Sequence, residues 1–475
     1  MSKAAENKAP QNGKLAVVIM AAGKGTRLKS RRPKVLHQIG GKPLLAHVVA
    51  AASQVVAPQD IYAVIGHQAE QVRTAMASTG IRFVEQTEQH GTGHAIQCAG
   101  AAIQRYENIL VLSGDVPLIQ PEHLKQVFAF HLANHAAMTL VSAQPDDPTG
   151  YGRIVRNSPD APEVTAIVEQ IMLTPEQLSL REVNMGLYAF QTAPLLAHLN
   201  QLTADNPQGE LYLTDMAAVL HAAGERVVAL ETPDPGVLLG ANTIAELVAL
   251  DATLRAATAS RLMANGVTIF RPETCTIDAD VEIEADTVIE PFVELRGRTK
   301  IGADCLIRSH SVIENCTLAD RVLVLPSCIL TDSTIGSGAK IGPFSHLRPG
   351  SEIGEDAHVG AFVETKKAKL GKGAKANHLT YLGDCEVGEK TNIGAGTITC
   401  NYDGVNKYRT IIGKGVFVGS DSTLVAPVTV EDGAYIGAGS CITKNVPADS
   451  LAVARSHQVV KEGWAAARKA RLKKP

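Results

Sequence analysis

Hydrophobic positions along the chain follow two different rhythms. Over the first half, apolar runs without polar alternation end at small residues. Leu15 to Met20 stops just before Gly23 and Gly25, Ile61 to Ile65 stops at Gly66, and Ile109 to Leu112 stops at Ser113, Gly114 and Asp115. Helix-like stretches such as Leu44 to Ala57 lie between them. Such runs suit strands covered on both faces. They predict an α/β domain with a mostly parallel sheet and ligands at the carboxyl ends of its strands.

From Ile277 the period becomes six. Ile277, Ile283, Ile289, Leu295, Ile301, Ile307 and Ile313 form one unbroken series. After a phase slip, Ile335, Ile341, Leu347, Ile353 and Val359 form a second, continued by Val387 and Ile393. Ile412, Val418, Leu424, Val430, Ile436 and Ile442 form a third. A helix needs an apolar period near 3.6. Six residues suit a flat strand plus a tight turn, one face of a prism. Three faces make a coil of about 18 residues with one aliphatic side chain per face on the axis, a parallel β-helix. The series breaks twice. Val359 to Val387 spans 28 positions, four more than four hexads, and Ile393 to Ile412 spans 19, one more than three. Insertions in solenoids become loops on one face, often the binding face. Both breaks are therefore expected to be loops and candidate sites.

The change of rhythm sets the organisation. Residues 1–13 are polar and expected to be disordered; 14–243 form the α/β domain. Residues 244–265, with Leu247, Leu250, Leu254 and Leu262 at near-helical spacing, form a helical linker. The β-helix occupies 266–450, and 451–475 form a basic C-terminal helix or tail carrying Trp464. That tail reads as a solvated surface or as a neighbour for an anionic ligand.

Composition narrows the setting. A length of 475 residues predicts two or three domains, and a net charge of −3 gives no electrostatic footprint for nucleic acid or an anionic membrane. No apolar run approaches the ~20 residues of a membrane helix. The N-terminus lacks the apolar core of a signal peptide. Eight cysteines are scattered without a CxxC pair, so reduced thiols and the cytoplasm are expected.

Candidate chemistry in the first half begins with Met20 and the loop Ala21-Ala22-Gly23-Lys24-Gly25-Thr26-Arg27, followed by Pro33-Lys34. Small residues let backbone N–H groups approach a polyphosphate, and Arg27 and Lys34 can neutralise charge in phosphoryl transfer. The pattern is neither GxGxxG nor GxxxxGK[ST]. Asp115 past an apolar strand suits Mg²⁺, which needs one or two protein ligands plus substrate phosphates. Gln86 carries an amide able to read a base edge, ahead of Gly91 and Thr92. His94 reads as structural. These residues resemble the sugar nucleotidyltransferase family. With Gly152, Glu169, Asn184 and Asn242 in that order, the match is to the uridylyltransferase domain of bacterial N-acetylglucosamine-1-phosphate uridyltransferases. The resemblance implies UTP and UDP-sugar contacts from Met20 to Gly23, Lys34, Gln86, Gly91, Thr92, Ser113, Gly114 and Gly152. It implies sugar contacts from Glu169 and Asn184, and metal contacts from Asp115 and Asn242. Arg27 and Lys34 would be catalytic. Two positions depart from the family pattern: Ser113 where a Tyr often stands, and Gln170-Ile171-Met172-Leu173 where charged residues are usual.

In the second half, His378 is the only histidine of its break, and a neutral imidazole suits a general base near pH 7. Ala376-Asn377-His378-Leu379-Thr380-Tyr381 and Asn392-Ile393-Gly394-Ala395, running on to Asn401-Tyr402, resemble left-handed β-helix acyltransferases, most closely the glucosamine-1-phosphate acetyltransferase domain. The resemblance implies that His378 deprotonates the sugar amine and that the Ala395 N–H stabilises the oxyanion. Arg348, Lys366, Tyr381 and Lys407 would hold the sugar phosphate. Asn392, Asn401 and Tyr402 would contact sugar or acyl donor, and Ser420, Ala438 and Arg455 would line the acetyl-coenzyme A site. It further implies a homotrimer with sites between subunits.

The expected architecture is thus a Rossmann-like α/β nucleotidyltransferase domain followed by a left-handed parallel β-helix of hexapeptide repeats. The resemblance implies two activities on sugar phosphates, one using acetyl-coenzyme A and one using UTP with Mg²⁺, feeding cell-wall precursors. Two alternatives stay open: a single nucleotidyltransferase with a structural or regulatory β-helix, and a binding or scaffold protein. Both would survive if the second half failed to consume acetyl-coenzyme A.

Overall fold

The computed structural model describes residues 14–158 and 161–472, so the expected disordered tail at 1–13 lies outside the described residues. The chain divides into two compact units, Met1–Leu254 and Arg255–Pro475. Among the described residues, no helix is long and apolar enough to cross a membrane.

The first unit is built on a mixed sheet. Its main strands are β1 (Leu15–Ala21), β2 (Ile61–Ile65), β3 (Arg82–Glu85), β4 (Asn108–Ser113), β5 (Met138–Ala143), β6 (Val183–Gln191) and β7 (Val227–Glu231), in the spatial order β7-β5-β6-β4-β1-β2-β3. Alternate residues of β1 serve two cores. Val17, Ile19 and Ala21 join the cluster on one face, Ala16 and Val18 the cluster on the other. That is why the run shows no polar alternation. β6 alone runs antiparallel to both neighbours. Its first residues therefore lie at the edge where β1, β4 and β5 end, and Asn184 pairs with Ser142 there. The first helix, Leu44–Ala52, is shorter than expected. Ala57 is held in an extended conformation ahead of Pro58, as a residue preceding proline tends to be.

His131, on the helix Pro121–Ala133, is buried against Thr139 of β5, whose Oγ1 lies 2.9 Å from His131 Nδ1. Nε2 has no partner in this pocket. Burial pushes the imidazole down to about 4. The unfolded chain, with an ordinary value near 6.5, thus binds the proton first. Stability from neutral His131 is complete above pH 6.5 and is lost as pH falls toward 4, roughly 3 kcal/mol in all. Thermal unfolding of the wild type and His131→Phe between pH 7 and 4.5 should show the steeper decline in the wild type. Parallel curves would show that His131 does not titrate with unfolding.

The second unit is a parallel β-helix of three stacked sheets containing 11, 10 and 9 strands. Inward residues from Ile269 to Val446 form one continuous core. The break from Val359 to Val387 proves to be no loop. Its coils shorten instead: Ile353 pairs with Leu370 and Leu370 with Val387, each 17 positions on. Thr365 and Ala376 take axial positions that the hexad count passed over, and both are fully buried. Thr365 tolerates the site because its hydroxyl lies 2.8 Å from Ser351 Oγ. His378 therefore ends a strand, Lys375–His378, rather than riding an insertion. The break from Ile393 to Ile412 is a true insertion. Val387 pairs with Ile412, 25 positions on, and the extra residues form a small hairpin bridged between Tyr402 and Lys407.

The helix Ile244–Ala264 buries Leu250 in a core cluster of the first unit, and Ala259 and Leu262 in the core of the second. The chain pairs once more at Leu451–Ala452, and the helix Trp464–Leu472 buries none of its residues.

Candidate active sites

In the first unit the carboxyl ends of β1, β3 and β4 border a cleft of about 540 Å³. Met20 to Thr26, Lys34, Gln86, Gly91, Thr92, Ser113 and Asp115 line it, joined by Gln89 and Glu210, which the sequence reading did not single out. Gly114 is needed for close approach. A Cβ there would sit 3.1 Å from the Met20 carbonyl, to which its N–H already donates at 2.9 Å.

Four polar groups meet at one corner. Lys34 pairs with Asp115 and donates to Asn242 Oδ1 at 2.9 Å, while Arg27 donates to the same oxygen at 2.8 Å. Asn242 is fixed in turn, because its backbone N–H donates to Glu246 Oε2 at 2.8 Å and the Glu246 N–H to Thr243 Oγ1 at 3.2 Å. A carboxylate and a neutral carbonyl oxygen both aimed at one cation, here the Lys34 ammonium, are a donor set that suits Mg²⁺. Among the described residues no three His, Cys, Asp or Glu gather elsewhere to compete for a metal.

A second group lies beyond it. Gly152 accepts from the Asn184 backbone N–H at 2.9 Å, and a Cβ on Gly152 would crowd Ile167 and approach Glu169. Glu169 accepts from Thr214 Oγ1 at 3.0 Å, and Asn184 donates to Tyr188 Oη at 2.7 Å. Asp215, missed in the sequence, adds a carboxyl raised by burial and by Glu169. After Glu169, Ile171 and Met172 stand about half exposed.

In the second unit the register stacks the predicted residues into columns. Ala376 pairs with Ile393, Ile393 with Val418 and Val418 with Ile436. Two positions further along each strand come His378, Ala395, Ser420 and Ala438, one per coil on a single corner. Strand spacing puts neighbours about 4.8 Å apart. Arg455 closes the column by donating to the Ala438 carbonyl at 2.8 Å. The His378 carbonyl accepts from Thr380 Oγ1 at 2.7 Å, which pins the strand end.

Alongside runs a cationic group. Arg348 follows Leu347, which pairs with Thr365, and Lys366 pairs with Gly383. The outer end of the Tyr381 ring lies where a Cβ on residue 383 would be, so any side chain there would displace the ring. Lys407 on the inserted hairpin reaches Lys366, and through that side-chain contact and its charge holds Lys366 below the ordinary lysine range. Ammonium groups brought together this way form a ready site for a phosphate. Asp384, another residue missed in the sequence, accepts from Asn401 Nδ2 at 2.5 Å and from the Thr410 N–H at 3.2 Å, tying down both ends of the insertion. Tyr402 is exposed on the hairpin. Asn392 lies on the same sheet as the His378 strand, between Lys375 and Phe417.

Comparison with known proteins agrees with both halves. Residues 17–265 match the MobA-like NTP transferase domain, and residues 280–315, 332–367 and 409–444 match the bacterial transferase hexapeptide repeat. "Bifunctional protein GlmU" of Koribacter versatilis is 59% identical over 98% of this chain and 99% of its own. The proteins of that name from Solibacter usitatus and Streptococcus agalactiae are 48% and 44% identical, over 96% and 94% of this chain and 97% of each of theirs.

Proposed function

The chain belongs to the bifunctional GlmU family, which joins a uridyltransferase and a glucosamine-1-phosphate acetyltransferase, and from that premise we propose how its residues divide the work. The β-helix acetylates glucosamine 1-phosphate with acetyl-coenzyme A. The α/β unit transfers UMP from UTP to the N-acetylated product and releases pyrophosphate.

For uridylyl transfer, the cleft holds UTP with its base at Gln86, Gly91 and Thr92 and its phosphates along Ala21 to Gly25. Glu169 and Asn184 orient the sugar. The sugar phosphate oxygen attacks the α-phosphorus in line, and Arg27 and Lys34 neutralise the charge that builds on the leaving pyrophosphate. Asp115 and Asn242 would hold Mg²⁺, which would supply further charge neutralisation on the triphosphate. No protein nucleophile is required.

For acetyl transfer, Arg348, Lys366, Tyr381 and Lys407 hold the sugar phosphate. His378 takes the proton of the amine as it attacks the thioester carbonyl, and the Ala395 N–H faces the developing oxyanion. Ser420, Ala438 and Arg455 carry the coenzyme down the same corner, with Asn401 and Tyr402 beside it. The hexapeptide-repeat β-helix favours a homotrimer in which a neighbouring subunit completes the site. Eight free cysteines suit a reducing compartment, and the cytoplasm is the setting we assign.

The observation that carries this division is that each constellation lies wholly within one unit. A fragment ending at Arg255 is expected to keep uridylyl transfer, and the remainder to keep acetyl transfer. A first fragment that folds but makes no UDP-sugar would refute the division.

A further inference from the structure

We propose that His94 sets nucleotide selectivity by locking the orientation of the Gln86 amide. The proposal rests on the reading that Gln86 faces the base of UTP.

Gln86 is only 3% exposed, directly after β3. Its Nε2 donates to the Gly91 carbonyl at 3.0 Å and lies 3.1 Å from His94 Nδ1. The carbonyl of Gly91 can only accept, so the nitrogen of the amide must face it. With Nε2 placed there, His94 Nδ1 must be the acceptor of the second N–H. Both protons of the amide are then used, and its remaining hydrogen-bonding atom, Oε1, is an acceptor without a proton.

The imidazole is held in the matching tautomer. Its proton sits on Nε2, which lies 3.7 Å from Cys98 Sγ, one turn along the same helix, Thr92–Ile103. Burial raises the Cys98 thiol, which keeps that neighbour neutral and able to receive the N–H as a weak acceptor. The ring of His90 packs against His94 with centroids 5.1 Å apart and completes the pocket.

An acceptor with no alternative discriminates between pyrimidines. Uracil offers a donor at N3, which Oε1 receives. Cytosine offers a lone pair at N3, which Oε1 repels. An amide free to turn over would present Nε2 instead and accept cytosine. A site whose buried polar group cannot adapt rejects the wrong partner far more strongly than shape alone. His94 is thus a positioning residue: it acts through Gln86 and need not touch the nucleotide.

The test compares kcat/KM for UTP and CTP in the full chain, with N-acetylglucosamine 1-phosphate as acceptor. His94→Phe keeps a ring of similar size without the acceptor. It should lower the UTP:CTP ratio about ten-fold, with the KM for the sugar phosphate little changed. His94→Leu, measured beside it, should lower the ratio likewise, so the question remains answerable if the phenylalanine overpacks the pocket. Gln86→Leu separates the role of Gln86 from that of His94. If it leaves the ratio unaltered, Gln86 does not face the base and the underlying reading fails. If it alters the ratio while both folded His94 variants retain the wild-type value, the base reading stands and the role of His94 is refuted. Equal losses with UTP and CTP would show His94 to be merely structural, and would equally refute the proposal.

Discussion

Replacing His378 with alanine is expected to lower acetyl-transfer kcat by roughly 10²–10⁴-fold, the usual worth of a positioned general base. His378 ends the strand Lys375–His378, and the column of Ala395, Ser420 and Ala438 continues from it along one corner. The KM for glucosamine 1-phosphate should change far less, because the phosphate is held by Arg348, Lys366, Tyr381 and Lys407. The deficit should shrink as pH rises and more of the substrate amine is already deprotonated. Uridylyl transfer should be untouched, since it takes place in a unit with its own cores. Steady-state kinetics of both reactions on one preparation decide the matter. An unchanged acetylation kcat would make His378 a surface residue, and equal losses in both activities would indicate misfolding.

The second large effect is expected from Asp115→Ala, which should reduce uridylyl transfer at least about 100-fold and spare acetylation. The carboxylate shares Lys34 with Asn242, so its removal takes away a cation ligand and unbalances the lysine that should face the phosphates. Asp115→Asn keeps an oxygen near Lys34 but removes the charge, and should also be severely impaired. Initial rates across a range of Mg²⁺ concentration are the measurement. A variant with the wild-type rate and the wild-type Mg²⁺ dependence would remove Asp115 from the metal site.

The sequence was most informative where one residue meets one environment. β1 and β4 were legible because burial on both faces leaves an uninterrupted apolar run that stops at the ligand edge. The β-helix was legible because each face contributes one aliphatic side chain to a common axis. The break around His378 was misread because Thr365 and Ala376 fill the axis without being large aliphatics, and because two turns drop a residue. A count in sixes turns that shortening into an apparent insertion. The columns were out of reach for a related reason: successive members lie 17, 25 and 18 positions apart, so no fixed period relates His378 to Ala438. Single contacts such as those of His94 with Gln86 and Asp384 with Asn401 depend on side-chain direction, which no spacing rule supplies.

The central claim is that one chain performs two reactions in sequence at independent sites. The most direct test supplies the wild type, His378→Ala and Asp115→Ala with glucosamine 1-phosphate, acetyl-coenzyme A, UTP and Mg²⁺, and follows both products. The wild type should form UDP-N-acetylglucosamine and pyrophosphate. Asp115→Ala should accumulate N-acetylglucosamine 1-phosphate. His378→Ala should form almost no product until N-acetylglucosamine 1-phosphate is added, and then make the UDP-sugar at the wild-type rate. Failure of the wild type to consume acetyl-coenzyme A, or failure of the added intermediate to restore His378→Ala, would contradict the account.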